Sequence, residues 1–181
     1  MPASPPSTTH SISQDPFTLL FSDLEGELKT TRRILERVPD GKEDWRPHEK
    51  STTLGELSSH IAQLPAYGIV ILRTDEFDVS QMPAFNPGNT AERLKKFDEV
   101  SGELRRLLES LNWDSALAKW TFKFGDRVIV EAERAKLMRT MVIAHIAHHR
   151  AQLGVYLRLL GVPIPGSYGP SADEPMPMRP K

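Results

Sequence analysis

The 181-residue chain contains no cysteine. That absence excludes disulfides, thiolate nucleophiles, iron–sulfur clusters and every zinc site built on sulfur, so any metal here is held by imidazole and oxygen. An excess of either charge is missing too: 23 Lys and Arg against 24 Asp and Glu give a formal net charge of −1. Proteins that coat nucleic acid or anionic lipid depend on a clear cationic surplus, so neither is expected as a partner. No apolar run approaches the ~18 residues of a membrane span. Residues 1–14 hold no apolar stretch of the kind that directs secretion, and the cytoplasm is the expected location. Proline is absent from Gly88 to Val162, although the chain has fifteen. It gathers instead at Pro2, Pro5, Pro6 and Pro16 and six times from Pro163 to Pro180. This frames a disordered tail over 1–15, a folded domain over 16–162 and an extended tail over 163–181 that packs on the domain or on a dimer partner.

Within the frame, the apolar period is helical. Asp15–Pro16 combines an N-cap acceptor with proline at the first helical position. Phe17, Leu20, Leu24, Leu28, Leu35 and Val38 follow on one face, stopped by Pro39-Asp40-Gly41. A second helix opens at Thr53, with Glu56 placed to complete a capping box, and carries the seam Leu57, His60, Leu64, Tyr67, Ile71. Residues 75–89 read as a turn-rich connection. A third helix starts at Asn89, with Glu92 at the box position, and runs through Leu94, Phe97, Leu104, Leu108 and Leu111. The period then shortens: Phe122, Phe124, Val128 and Val130 around Gly125-Asp126 predict a β-hairpin. The fourth helix is expected from about Glu131 to Leu160, closed by Gly161 and Pro163, with the seam Met138, Val142, His145, His149, Gln152, Tyr156, Leu160. Four such stripes predict an all-α four-helix bundle with a short hairpin between the third and fourth helices.

The chemistry lies in the histidines. His60, His145 and His149 occupy seam positions where leucine would pack better, and a buried imidazole without a partner costs roughly 1–3 kcal/mol. His145 and His149 are four apart, so both rings leave one helical face. Such a pair can grip one ion, and His60 can supply a third ligand from another helix, leaving a position open for water. The alternative is a metal-free core in which the histidines hydrogen-bond one another. His148 sits off the seam as a surface or supporting residue, with ligation by His145 and His148 as the other reading. His10 and His48 carry no motif. Ile146 follows His145, so the glutamate of an H-E-x-x-H protease is missing. Glu56 is either a base near His60 or only the capping-box partner. Tyr67 and Tyr156 line a pocket or fill the core. Pro65 removes one backbone donor and can bend the second helix just past His60.

Three strings carry a resemblance: Trp45-Arg46-Pro47 followed by Leu57-Ser58-Ser59-His60; His145-Ile146-Ala147-His148-His149-Arg150-Ala151-Gln152-Leu153; and Gly161-Val162-Pro163-Ile164-Pro165 with Tyr168-Gly169-Pro170-Ser171-Ala172-Asp173-Glu174. In this order they resemble the DinB/YfiT-like metalloenzyme family over residues 17–174. Ala151 departs from the family's glycine after His-His-Arg. The resemblance implies an up-down-down-up bundle, and residues 75–89 can extend ~50 Å, longer than a ~30 Å helix, to make the parallel crossover. It also implies one divalent metal held by His60, His145 and His149, and a homodimer. Zinc and nickel suit the imidazoles best, with iron or manganese also possible on chemistry alone. The function expected is a metal-dependent enzyme, a thiol S-transferase acting with a low-molecular-weight thiol or a hydrolase. The alternative is a non-catalytic metal-binding protein, stress-related or dimeric.

Overall fold

Asp15 caps the first helix as the sequence predicts: its carboxylate accepts the Thr18 amide at 2.8 Å, and Pro16 fills the first turn. The computed structural model describes residues 15–81 and 88–176. The tail expected over 1–15 lies outside the described residues except for Asp15, as do 177–181 and part of the connection expected over 75–89.

The single helix expected up to Val38 is two, α1 (Pro16–Phe21) and α2 (Leu24–Leu35). Arg139 donates to both the Leu20 carbonyl and the Asp23 carboxylate, at 2.9 and 2.7 Å. The Leu20 carbonyl is thereby drawn out of the helical ladder at Ser22–Asp23. Helix α3 (Leu54–Arg73) is fixed at its start by both arms of the Thr53–Glu56 box, and it continues through Pro65 without a break. Helix α4 (Thr90–Glu109) begins with the matching Asn89–Glu92 box. Its first residue is tied to the turn that follows α2: the Thr90 amide donates to Asp40 and its hydroxyl to the Val38 carbonyl, both at 2.8 Å. A short helix α5 (Trp113–Leu117), capped by Asn112, leads into the sheet.

The expected hairpin is present as β2 (Lys119–Phe124) and β3 (Arg127–Glu133), with Gly125 at positive φ in the turn and a bulge at Phe122/Lys123. A strand that the sequence did not announce, β1 (Glu76–Asp78), pairs parallel to β2 and makes a three-stranded sheet in the order β1-β2-β3. The protein is therefore mostly helical with a small three-stranded sheet, rather than the expected all-α bundle with a two-stranded hairpin. Trp120 of β2 is completely buried, and its indole N–H donates to the Thr74 hydroxyl at the end of α3. The Phe122 ring stacks with those of Phe77 and Trp120, at centroid distances of 6.3 and 6.2 Å. The hairpin tip, with Phe124, Val128 and Ile129, is exposed.

Because Glu131–Glu133 belong to β3, the last helix starts at Arg134 and not at Glu131. It is one rod in three parts: α6 (Arg134–Met138), a π-helical segment over Arg139–Ala144, and α7 (His145–Leu159). Gly161, at φ +71°, ends the rod. Its amide bonds the Arg158 carbonyl, and that of Val162 bonds the Leu157 carbonyl, the paired closure of a Schellman turn. Helix α3 packs against α4 on one side and against the α6–α7 rod on the other, while α2 touches both α4 and α7. Gly68 permits this closeness, since a Cβ there would lie 2.8 Å from a Leu104 methyl and 3.1 Å from Met138. The core between the rods includes Leu24, Leu28, Leu57, Ile61, Leu64, Phe97, Leu104, Ile146 and Leu153. Residues 162–176 fold back on this body: Arg158 pairs with Asp173, Arg33 with Glu174, and the Arg150 guanidinium lies 5.1 Å from the Tyr168 ring centre.

Candidate metal centre

The π-helical segment decides how the last rod presents its histidines. A π turn inserts one residue into the helical repeat and rotates everything beyond it. The buried face of α7 is consequently Ile146, Arg150, Leu153 and Leu157, while His145 and His149 stand half-buried at its edge. Of the seam read from the sequence, Met138, Val142 and Tyr156 are packed, whereas the two histidines face α3 from the edge and Gln152 is exposed. His60 on α3, likewise half-buried, meets them there.

The three rings converge through their Nε2 atoms. His60 Nε2 lies 3.3 Å from His145 Nε2, which in turn lies 2.9 Å from His149 Nε2. One nitrogen from each falls within 4.8 Å of the others, and among the described residues no carboxylate joins the group. Metal–imidazole bonds of about 2.0–2.1 Å place donor atoms about 3.3–3.4 Å apart at tetrahedral angles and about 2.8–3.0 Å apart at right angles. Both observed separations lie at those values.

The outer nitrogens fix what the inner ones can be. His145 Nδ1 sits 3.3 Å from the Met141 carbonyl, within the π-helical segment, and a carbonyl can only accept. His145 is therefore protonated at Nδ1 and carries a lone pair on Nε2. His149 Nδ1 is 2.6 Å from Gln152 Oε1, again an acceptor, so its Nε2 also carries a lone pair. Two lone pairs directed at each other across 2.9 Å make no hydrogen bond. They repel, and a cation between them turns that repulsion into coordination. The donor chemistry of the site fits a divalent ion.

Electrostatics point the same way. Burial, then the neighbouring charges of His149 and His145, push the His60 imidazole down to about 4. Burial also lowers His145 and His149, the latter against the opposing hydrogen bond from Gln152. All three are neutral at neutral pH, the form that ligates a metal.

The remaining candidates have other duties. His148 is exposed, its ring edge-on to His149 at 4.7 Å and outside the cluster. His48 accepts the Lys50 amide in the loop before α3, and His10 lies outside the described residues. Glu56 receives the Thr53 amide at 2.8 Å, and that bond holds its carboxyl below the ordinary range, so it is occupied as a cap. Tyr156 is core: buried, donating to the Thr52 carbonyl and edge-on to Trp45. Tyr67 differs, for its half-buried ring stands 6.5 Å from that of His60. It lines, with Gln63, Ala66, Val70 and Phe77, an apolar recess of about 60 Å³. A larger cleft of about 370 Å³ between α2, α7 and the C-terminal segment is lined by none of the three histidines. Among the described residues, no helix is long and apolar enough to cross a membrane.

Comparison with known proteins gives the geometry a context. A family model, DinB family, matches residues 11–179. Uncharacterized protein YrdA of Bacillus subtilis (strain 168) is 26% identical over 153 residues, 83% of this chain and 86% of its own length. A stretch of 83 residues, 46% of the chain, is 31% identical to Ras guanine nucleotide exchange factor C of Dictyostelium discoideum, but spans only 6% of that protein. Two crystal structures share the fold. A DinB-like protein from Bacillus subtilis superposes with a TM-score of 0.62 at 17% identity, covering 81% of this chain and 96% of its own. Another from Bacillus cereus ATCC 10987 gives 0.61 at 21% identity, covering 82% and 95%.

Proposed function

This chain belongs to the DinB family, and we propose that it is a metal-dependent enzyme in which His60, His145 and His149 hold one divalent ion. One observation carries the reading: Nδ1 of both His145 and His149 is committed to an acceptor, so two Nε2 lone pairs meet at 2.9 Å with a third imidazole nitrogen 3.3 Å away. A divalent ion supplies Lewis-acid chemistry, acidifying a bound water or thiol. Three protein ligands leave room for such a group. Zinc or nickel is the proposed ion, since imidazole suits both.

Within that class we favour thiol S-transfer over hydrolysis. Hydrolysis wants a base beside the water. The one acidic side chain the sequence offers near His60, that of Glu56, is engaged at the start of α3, and among the described residues no carboxylate stands in the cluster. A low-molecular-weight thiol brings its own acidic proton and the sulfur nucleophile that the cysteine-free chain lacks. The apolar recess beside Tyr67 offers room for a small uncharged substituent of the acceptor. The same reading includes the up-down-down-up connection of the four rods and a homodimer.

Elemental analysis of protein purified without a metal-affinity step tests the premise, and less than about a tenth of an equivalent of metal would refute it. Cobalt-substituted protein tests the class. Titration with a simple thiol is expected to bring up thiolate-to-cobalt absorption; an unchanged spectrum at saturating thiol would leave hydrolysis as the better reading.

A further inference from the structure

We infer that Gln152 is a positioning residue for the metal centre, setting the tautomer of His149 and thereby deciding whether the three-histidine cluster is an open ligand set or a closed hydrogen-bonded one. The inference rests on the metal reading above and adds a residue outside the ligand set. Gln152 is exposed, so packing does not explain its place, and it lies three residues beyond His149 on the same helical face. Its Oε1 is 2.6 Å from His149 Nδ1, the shortest of the contacts made by these rings.

The consequence follows from counting protons. His145 cannot turn its proton inward, because the Met141 carbonyl faces its Nδ1. A neutral His149 has one ring proton. Placed on Nδ1, it goes to Gln152 and leaves Nε2 free to ligate; placed on Nε2, it goes to His145 Nε2 and plugs the site. An acceptor at position 152 selects the first arrangement. Without it, the second is favoured by the 2.9 Å contact already in place. The ligating state is thus held by one side-chain amide that touches neither metal nor substrate.

Two substitutions and one spectroscopic measurement on the full chain test this. Gln152→Leu removes the acceptor from an exposed helical position. It is expected to weaken zinc binding about 10–100-fold, the effect usual for loss of a group that orients a ligand, with the unfolding temperature of the metal-free protein unchanged. Gln152→Glu, which can only accept, is expected to bind zinc at least as tightly as the parent. Zinc affinity of Gln152→Leu within twofold of the parent overturns the inference, as does equal weakening in both variants. Long-range proton–nitrogen correlation spectra of the metal-free parent are expected to place the His149 proton on Nδ1; a proton on Nε2 overturns it as well. Failure of the parent to take up zinc would refute the metal reading, while the tautomer measurement would still decide the part played by Gln152.

Discussion

Arg150, the residue that follows the ligand pair, is among the most deeply buried charges in the protein, and its removal from water makes a sharp prediction about stability. Its side chain is 2% exposed, and its Nη1 lies 2.7 Å from Glu27 Oε2, which belongs to a side chain 9% exposed. The same nitrogen donates to the Glu27 carbonyl and the Thr31 hydroxyl, at 3.2 and 3.1 Å. The carboxylate contact is close, but Oε2 has no aligned hydrogen bond, so it acts chiefly by charge. Glu27→Ala would leave a guanidinium with two neutral acceptors and no counter-ion. Removing one partner of a buried pair costs about 3–5 kcal/mol. For a protein of this size, with about 2–4 °C per kcal/mol, the unfolding temperature should fall by about 6–20 °C. The measurement is thermal and urea unfolding of chelator-treated protein at neutral pH, so that metal binding does not mask the loss. The double variant Glu27→Leu/Arg150→Met, which removes both charges and keeps the volume, should be more stable than Glu27→Ala. A loss below about 1 kcal/mol in Glu27→Ala would refute the argument, because that is the scale of a solvated surface pair.

His149→Ala should abolish metal binding while circular dichroism stays helical, whereas His148→Ala should keep full stoichiometry; the reverse pattern would move the ligand to His148. Trp120→Ala opens a cavity behind the sheet and leaves the Thr74 hydroxyl without its donor, for an expected cost of about 3–5 kcal/mol in urea unfolding; a cost under about 1 kcal/mol would mean that the sheet is not part of the core. Acid should release the C-terminal segment. Asp173 is held below the ordinary carboxylate range by Arg158 and then the Ile164 amide, and Glu174 by Arg33 and then the Gly166 amide. Carboxylates depressed in the folded state give their full anchoring above the ordinary value of about 4 and lose it as pH falls through the depressed ones. Hydrogen exchange at the Ile164 and Gly166 amides, corrected for intrinsic rate, should accelerate there; protection that persists until global unfolding would contradict it.

What the sequence disclosed follows from how local each signal is. The caps at Asp15, Thr53 and Asn89 are contained within four residues, and each forms as read. The hairpin turn at Gly125-Asp126 is equally local. Strand β1 escaped because three residues are too few for alternation to register, and its partner lies more than forty residues away. The break at Ser22–Asp23 depends on Arg139, more than a hundred residues downstream. Glu27 and Arg150 announced nothing, since charged residues on amphipathic helices ordinarily face water. Burial of this pair is a property of the α2–α7 contact and not of either helix.

The histidines show the same division at finer grain. Spacing alone put His145 and His149 on one face and made His60 their candidate third, and the rings do meet. The reason given for them, that they replace leucine in the seam, does not hold: the π-helical segment turns Ile146, Leu153 and Leu157 inward and leaves the histidines at the margin. That margin matters to the chemistry. A fully enclosed trio could exchange ligands only by unfolding, whereas a half-buried one keeps imidazoles neutral through partial desolvation and still admits a small molecule. The extra residue of the π turn therefore does two things at once. It brings the Met141 carbonyl to His145 Nδ1, which aims the lone pair inward, and it rotates the pair from the packed face to an accessible edge. Deleting one residue within 139–144 cancels the inserted one, so Ile146, Leu153 and Leu157 should still face inward and the histidines should stay at the edge, but the Met141 carbonyl would no longer meet His145 Nδ1. Zinc affinity in a competition titration should fall although every ligand remains, and an unchanged affinity would refute this role of the π turn.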